Sequence, residues 1–224
     1  MVIYLDSGYL DMISTFISRV DGVTTNPSLL KAAVVKDYRE YAASVLEKVK
    51  GKLVSFEVFS DDMDGMESQA REISSWGENV YVKIPITNTQ GEHTYPIIKR
   101  LTLDNIKVNV TAIMTLEQIR GVSLSIHPST DSIISIFCGR IADTGCDPVP
   151  FITNAIRVKP RNTKVLWAST REVYNVKQAQ SAGADIITMS PDLIQKMSLF
   201  GRDLAQYSLE TVKQFHEDAK GLIL

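Results

Sequence analysis

Eight short runs of β-forming residues recur along this chain with helix-compatible stretches between them, and that alternation restricts the fold more than any other feature. The runs are VIYL (2–5), VDGVT (20–24), LVSFEV (53–58), VYVKI (80–84), KVNV (107–110), SIISIF (132–137), KVLWA (164–168) and DIITM (185–189). Such alternation implies parallel strands joined by crossover helices. Eight units either close into a barrel or spread into an open doubly wound sheet. No G-x-G-x-x-G fingerprint follows the first strand, so the closed α/β form, a single (β/α)8 TIM barrel, is favoured. At 224 residues the chain lies within the range of one-domain barrels, and 1–224 is read as one domain.

Between the strands, the segment 28–50 reads as helix, with Ser28 placed to cap it and Leu29, Ala32, Ala33 and Val45 at three- and four-residue steps. An additional C-terminal helix is predicted over about 201–220, where Leu204, Tyr207, Thr211, Val212 and Phe215 fall near one face. That face fits packing on the barrel or on a neighbouring subunit.

Charge excludes several function classes. The formal net charge is -2 and the basic residues are dispersed, which argues against a nucleic-acid face or a membrane-binding helix, so any phosphate recognition must be local. The N-terminal MVIYLDSG has neither a basic n-region nor a long apolar stretch, and a cytoplasmic protein is expected. Cys138 and Cys146 lack CxxC spacing and neighbouring histidines, so free thiols are expected rather than a metal site. His93, His127 and His216 read as surface residues, and Trp76 and Trp167 as packing.

In a barrel of this kind the chemistry collects at the C-terminal ends of the strands. Nearly every run ends on polar groups that a core does not need: Asp6, Thr24 with Asn26, Glu57, Lys83, Thr111, Ser135 with Arg140, and Ser169 with Arg171. Lys83 is the most informative, because VYVKIPI is apolar and a hydrated ammonium has no structural reason to appear there. Burial disfavours a charged amine, and the free base attacks a ketone to form an imine. The competing account is a strand-end lysine that snorkels into water. Glu57, one strand earlier, and Asp6 are both candidates for the acid and base that imine chemistry requires; each also fits a solvated or ion-paired rim carboxylate. Thr111 has a hydroxyl suited to holding a water. Arg140 and Arg171 offer planar forks for phosphate, assisted by the hydroxyls of Ser135 and Ser169, and Arg171 is placed to open a helix whose N-terminus favours an anion.

Five ordered motifs carry a family resemblance along almost the whole chain: GVTTNPSLL (22–30), VKIP (82–85), VNVT (108–111), SIFCGR (135–140) and VLWASTR (165–171). In these the sequence resembles the transaldolase family, particularly its small subfamily. The resemblance implies that Lys83 forms a Schiff base, that Asp6 moves the proton at the cleaved bond, and that Glu57 and Thr111 hold the catalytic water. It also implies that Asn26 and Ser169 bind a dihydroxyacetone moiety, that Arg140 and Arg171 bind phosphate, and that Thr24 and Ser135 line the pocket. The implied reaction moves a dihydroxyacetone unit from sedoheptulose 7-phosphate, or from fructose 6-phosphate, to an aldose phosphate in the pentose phosphate pathway, without metal or organic cofactor. The alternative is the related fructose-6-phosphate aldolase branch, which releases free dihydroxyacetone. That branch typically has Gln at the position of Glu57 and Tyr at the position of Phe137, so both residues found here resemble the transferase pattern. A sugar-phosphate-binding barrel without turnover is a third possibility. Homo-oligomers, pentamers or decamers assembled through the C-terminal helix, are implied by the resemblance alone. Ile136 stands where the family usually has proline, and Thr170 where an aromatic is common.

Overall fold

The computed structural model describes residues 1–222. Eight parallel strands, β1 (Val2–Asp6), β2 (Gly22–Thr24), β3 (Leu53–Glu57), β4 (Val80–Pro85), β5 (Val108–Ile113), β6 (Ser132–Ile136), β7 (Thr163–Trp167) and β8 (Ile186–Met189), follow one another around a closed barrel. Pairing of β1 with β8, from Val2 opposite Ile186 to Leu5 opposite Met189, completes the ring. The expected (β/α)8 barrel is therefore the fold. Around it lie α1 (Leu10–Phe16), α2 (Pro27–Ala32), α3 (Tyr38–Val49), α4 (Met63–Ser74), α5 (Tyr95–Leu103), α6 (Leu116–Ser125), α7 (Cys138–Asp143), α8 (Val149–Val158), α9 (Asn175–Ala182), α10 (Pro191–Lys196) and α11 (Leu204–Asp218).

The period of two along each strand sorts side chains into two compartments. Outward-facing Val54, Phe56, Val82, Ile84, Val108, Val110, Ile134 and Ile136 join one buried core with helix residues such as Ile97, Ile98, Leu101, Ile119 and Val122. Full burial of such a side chain contributes about 1.5–3 kcal/mol, so this shell is the main source of stability. Inward-facing Tyr4, Tyr81, Ile133, Leu166 and Ile186 form a second, smaller cluster. Four of the strands then take one inward step of two residues, from Tyr4 to Asp6, Tyr81 to Lys83, Ile133 to Ser135 and Ile186 to Thr188, and the apolar plug gives way to a polar layer. Gly22 makes room for the plug, since a Cβ there would lie 2.7 Å from the Tyr4 ring.

Two helical expectations need correction. The segment 28–50 is two helices, not one, because the chain breaks after Ala32 and restarts with Asp37, whose side chain accepts from Glu40 N–H and caps α3. The cap of α2 is Asn26 rather than Ser28: its side chain accepts from Leu29 N–H at 3.0 Å, and Pro27 fills the first turn, where a missing N–H costs nothing. The C-terminal helix forms at Leu204–Asp218, but none of its residues is buried, and Leu204, Tyr207, Val212 and Phe215 all face outward from the described chain.

In the link between α2 and α3, Val34 holds φ at +56° while 72% exposed. A β-branched residue in the left-handed region is strained by about 1–2 kcal/mol, and little burial offsets it. Val34→Gly should therefore stabilise the protein by about 1 kcal/mol, raising the Tm by about 2–4 °C in a thermal melt; a lower Tm would show that the valine packs better than its exposure implies.

Candidate active site

The polar layer opens into a cavity of about 430 Å³ at the C-terminal end of the barrel. Lys83, only 6% exposed, stands at its floor. The register explains what surrounds it: Glu57 on β3 lies directly opposite Lys83 on β4, which in turn lies opposite Asn109 on β5. Lys83 Nζ is 2.9 Å from a Glu57 carboxylate oxygen and donates to the Thr25 carbonyl at 2.9 Å. The ammonium is thus buried and paired, not snorkelled into water, so the competing account of this lysine fails. A proton passed across this contact leaves a free amine beside a carboxylic acid, the two species that imine formation uses.

Two hydrogen-bonded chains flank the pair. On one side the Thr24 hydroxyl donates to Asp6 at 2.8 Å and lies 2.5 Å from the Thr188 hydroxyl, so Thr188 must be the donor to Thr24 when Thr24 donates to Asp6. On the other, Asn109 donates to the Ser55 hydroxyl at 3.0 Å and accepts from Ser135 at 2.6 Å. The Thr111 hydroxyl is buried in the cavity wall without a protein partner, a donor and acceptor free for a water or substrate. Next to it Ala112 holds φ at +61°, and across the cavity Ser169 holds +63°; both line the cavity. Backbone strain of this kind persists where the surroundings enforce it, here at the register irregularity of β5 and at the exit of β7.

Asp6, Thr24, Asn26, Glu57, Lys83, Thr111, Ser135, Phe137, Arg140 and Ser169 all line the one cavity. Arg171 does not. Its guanidinium is held by Asp143, with Nε at 3.1 Å from both carboxylate oxygens and a terminal nitrogen at 2.6 Å. Nor does Arg171 open a helix: α9 starts at Asn175, whose side-chain carbonyl accepts from the N–H groups of Arg171 and Glu172 and so occupies the amides expected to face an anion. Arg140 remains at the rim, its guanidinium 5.5 Å from the Phe137 ring centroid. The two arginine segments are drawn together at Gly139, where a Cβ would meet the Ser169 carbonyl oxygen at 1.6 Å, so any larger residue would push the Ser169 loop away. Sequence reasoning missed Thr188, Asn109, Leu166 and Ala168. Thr188 and Asn109 carried the same signal as Lys83, a polar residue inside an apolar strand run, but a threonine or asparagine is a weaker anomaly there than an ammonium.

Fold and site together define a parallel eightfold barrel with a buried lysine–glutamate pair and a second carboxylate, Asp6, in the cavity at its mouth. The sequence places it further. Residues 3–223 match the model of the transaldolase/fructose-6-phosphate aldolase family, and the chain belongs to that family. It is 35% identical over 215 residues to a protein from Methanococcus maripaludis named a probable transaldolase, covering 94% of each chain. It is 37% identical over 193 residues to one of the same name from Roseiflexus castenholzii, covering 84% of this chain and 85% of that one. Among solved structures, dihydrodipicolinate synthase from Bacillus clausii superposes with a TM-score of 0.63 at 13% identity, over 97% of this chain and 78% of that one, a likeness of fold.

Burial pushes the Asp6 carboxyl above its ordinary pKa of 3.8, opposed by the Lys83 charge and the Thr24 hydrogen bond. A folded-state pKa above the unfolded one means that ionised Asp6 costs stability. The cost is absent below 3.8, grows as pH rises through the gap and is complete above the folded-state value. Asp6→Asn should therefore raise the Tm near neutral pH and lose that advantage at about pH 3, where both proteins are uncharged at this position. Calorimetry at the two pH values tests this; an equal gain at both would remove desolvation as the cause.

Proposed function

We propose that this chain is a transaldolase that carries a dihydroxyacetone unit as a Schiff base on Lys83. The observation that carries the reading is the buried Lys83 amine, held by Glu57 and the Thr25 carbonyl at the floor of a cavity with Arg140 at its rim. In this reading the amine attacks the C2 ketone of a phosphorylated ketose, sedoheptulose 7-phosphate or fructose 6-phosphate. Glu57, with a water held by Thr111, gives the proton on which the carbinolamine hydroxyl leaves as water. Asp6 then takes the proton of the C4 hydroxyl, the C3–C4 bond breaks and the shortened aldose phosphate departs. The electron pair left on C3 is delocalised into the iminium as an enamine. It attacks the aldehyde carbon of the acceptor while Asp6 returns the proton to the new hydroxyl, and hydrolysis of the imine frees Lys83. Asn26 and Ser169 hold the hydroxyls of the three-carbon unit; Thr24 and Ser135 line its sides.

Arg140 supplies phosphate binding, and Arg171 joins it by leaving Asp143, a contact between half-exposed groups that solvent screens. Glu57 and Phe137 support transfer over release of free dihydroxyacetone. We place the enzyme in the cytoplasm, where such substrates occur, on the strength of the family alone. We also propose that it is a homo-oligomer in which the outward apolar face of α11, with Leu204, Val212 and Phe215, is covered by a neighbouring copy. The double substitution Val212→Glu, Phe215→Glu should then lower the mass measured by light scattering to that of a smaller species; an unchanged mass would sink the proposed contact.

The deciding assay follows glyceraldehyde 3-phosphate release from fructose 6-phosphate, with and without erythrose 4-phosphate, in the native protein and in Lys83→Met. Release that requires the acceptor and falls by at least about 10³-fold in the variant is expected of a transaldolase working through Lys83. Equal release without acceptor would make the protein an aldolase, and none in either case would leave a binding barrel.

A further inference from the structure

β3 continues two residues beyond Ser55, the register partner of the last residue of β2. The last rung between them is Thr25 N–H to the Ser55 carbonyl, at 3.2 Å. In a parallel ladder, a residue that donates to Ser55 also accepts, at its own carbonyl, from the N–H two positions further along β3, which is that of Glu57. That rung is not made. The Thr25 carbonyl accepts from Lys83 Nζ instead, and the Glu57 N–H donates to the Tyr38 hydroxyl at 2.9 Å. The same hydroxyl donates to the Glu57 carbonyl at 3.2 Å, so its one proton and one lone pair clamp both backbone groups of Glu57.

Tyr38 is itself fixed. It is the first residue of α3, immediately after the Asp37 cap, and its ring lies 4.4 Å from that of Phe59, 5.4 Å from Trp76 and 6.0 Å from Phe56. Burial raises its pKa, opposed by the hydrogen bond from the Glu57 N–H and reinforced by the Glu57 charge, so the phenol keeps the proton that the clamp needs. Tyr38 does not line the cavity.

We infer that Tyr38 is a positioning residue: by taking over the missing rung at Glu57 it fixes Glu57 where its carboxylate meets the Lys83 amine. The catalytic part of this inference rests on the proposed reading of Lys83 and Glu57 as the reacting pair; the geometric part does not. The backbone clamp acts through Glu57, so its loss and the loss of the Glu57 charge should not add.

The test compares wild type, Tyr38→Phe, Glu57→Gln and the double variant in two readouts. One is kcat and KM in the donor–acceptor assay. The other is the rate at which formaldehyde and cyanoborohydride methylate Lys83, followed by peptide mass spectrometry, which needs no turnover. Tyr38→Phe is expected to lower kcat by about tenfold with KM within about twofold, and to change the Lys83 methylation rate by at least about threefold. In both readouts the double variant should match Glu57→Gln within about twofold. Multiplying effects, or wild-type values in Tyr38→Phe, would overturn the inference. If Tyr38→Phe does not fold, para-aminophenylalanine at position 38 keeps a donor and an acceptor on one atom and should retain the Lys83 reactivity of wild type; failure to do so counts against the clamp. A wild type without turnover whose methylation cycle still behaves as expected would defeat the proposed function and leave the positioning role standing.

Discussion

A lysine ammonium inside an apolar strand has to be satisfied or the barrel does not close. An unpaired buried charge costs several kcal/mol at least, a large share of a domain's net stability. The structure meets that demand with two oxygens, the Glu57 carboxylate at the end of the neighbouring β3 and the Thr25 carbonyl just past the end of β2. Much of the mouth of the barrel follows from this arrangement. β2 has to end early so that the Thr25 carbonyl is spare, α2 has to start at once under the Asn26 cap, and α3 has to deliver Tyr38 back to β3. A buried ion pair is poor evidence of stability, and a hydrophobic pair of similar volume would hold the barrel at least as well. What this one provides is an amine and a carboxyl held 2.9 Å apart at the floor of the cavity.

The anion side of the mouth is organised differently. Arg140 sits on the Phe137 ring at the rim, whereas Arg171 is bound to Asp143, one turn beyond Arg140 on the same helix. The Arg171 hydrogen bond holds the Asp143 carboxyl below its ordinary pKa, with the Arg140 charge adding a smaller attraction. Under the proposed function, a phosphate at this rim would meet Arg140 directly and would have to displace Asp143 to reach Arg171. The floor of the site is thus set by buried, short, mutually dependent contacts, and the rim by an exposed pair that opens at little cost.

The order of strands and the identity of the site were legible because both are local patterns. Alternating β-type and helical stretches give the barrel, and a Lys, a Glu or an Asp in an apolar strand is anomalous wherever the strand ends up. The period of two then puts Asp6, Lys83, Thr111 and Ser135 on the inner face without further information. The break of 28–50 into two helices was harder to read: its residues are helix formers, and only the left-handed turn at Val34 and the Asp37 cap separate them. Position 38 gave no signal at all, because a tyrosine near a helix start looks like ordinary packing until the strand it touches is known.

What the sequence alone determined is therefore which residues are out of place in a core and on which face of which strand they lie, since propensity, periodicity and burial cost are properties of short segments. Only the tertiary structure decided their partners: that Lys83 takes a carbonyl freed by a missing rung, that Tyr38 replaces that rung, and that Arg171 is bound by Asp143 instead of lining the cavity. Hydrogen bonds and ion pairs depend on distances of a few tenths of an ångström between groups far apart in the chain, 58 residues in the case of Lys83 and Thr25. Those distances come into being only when the barrel closes.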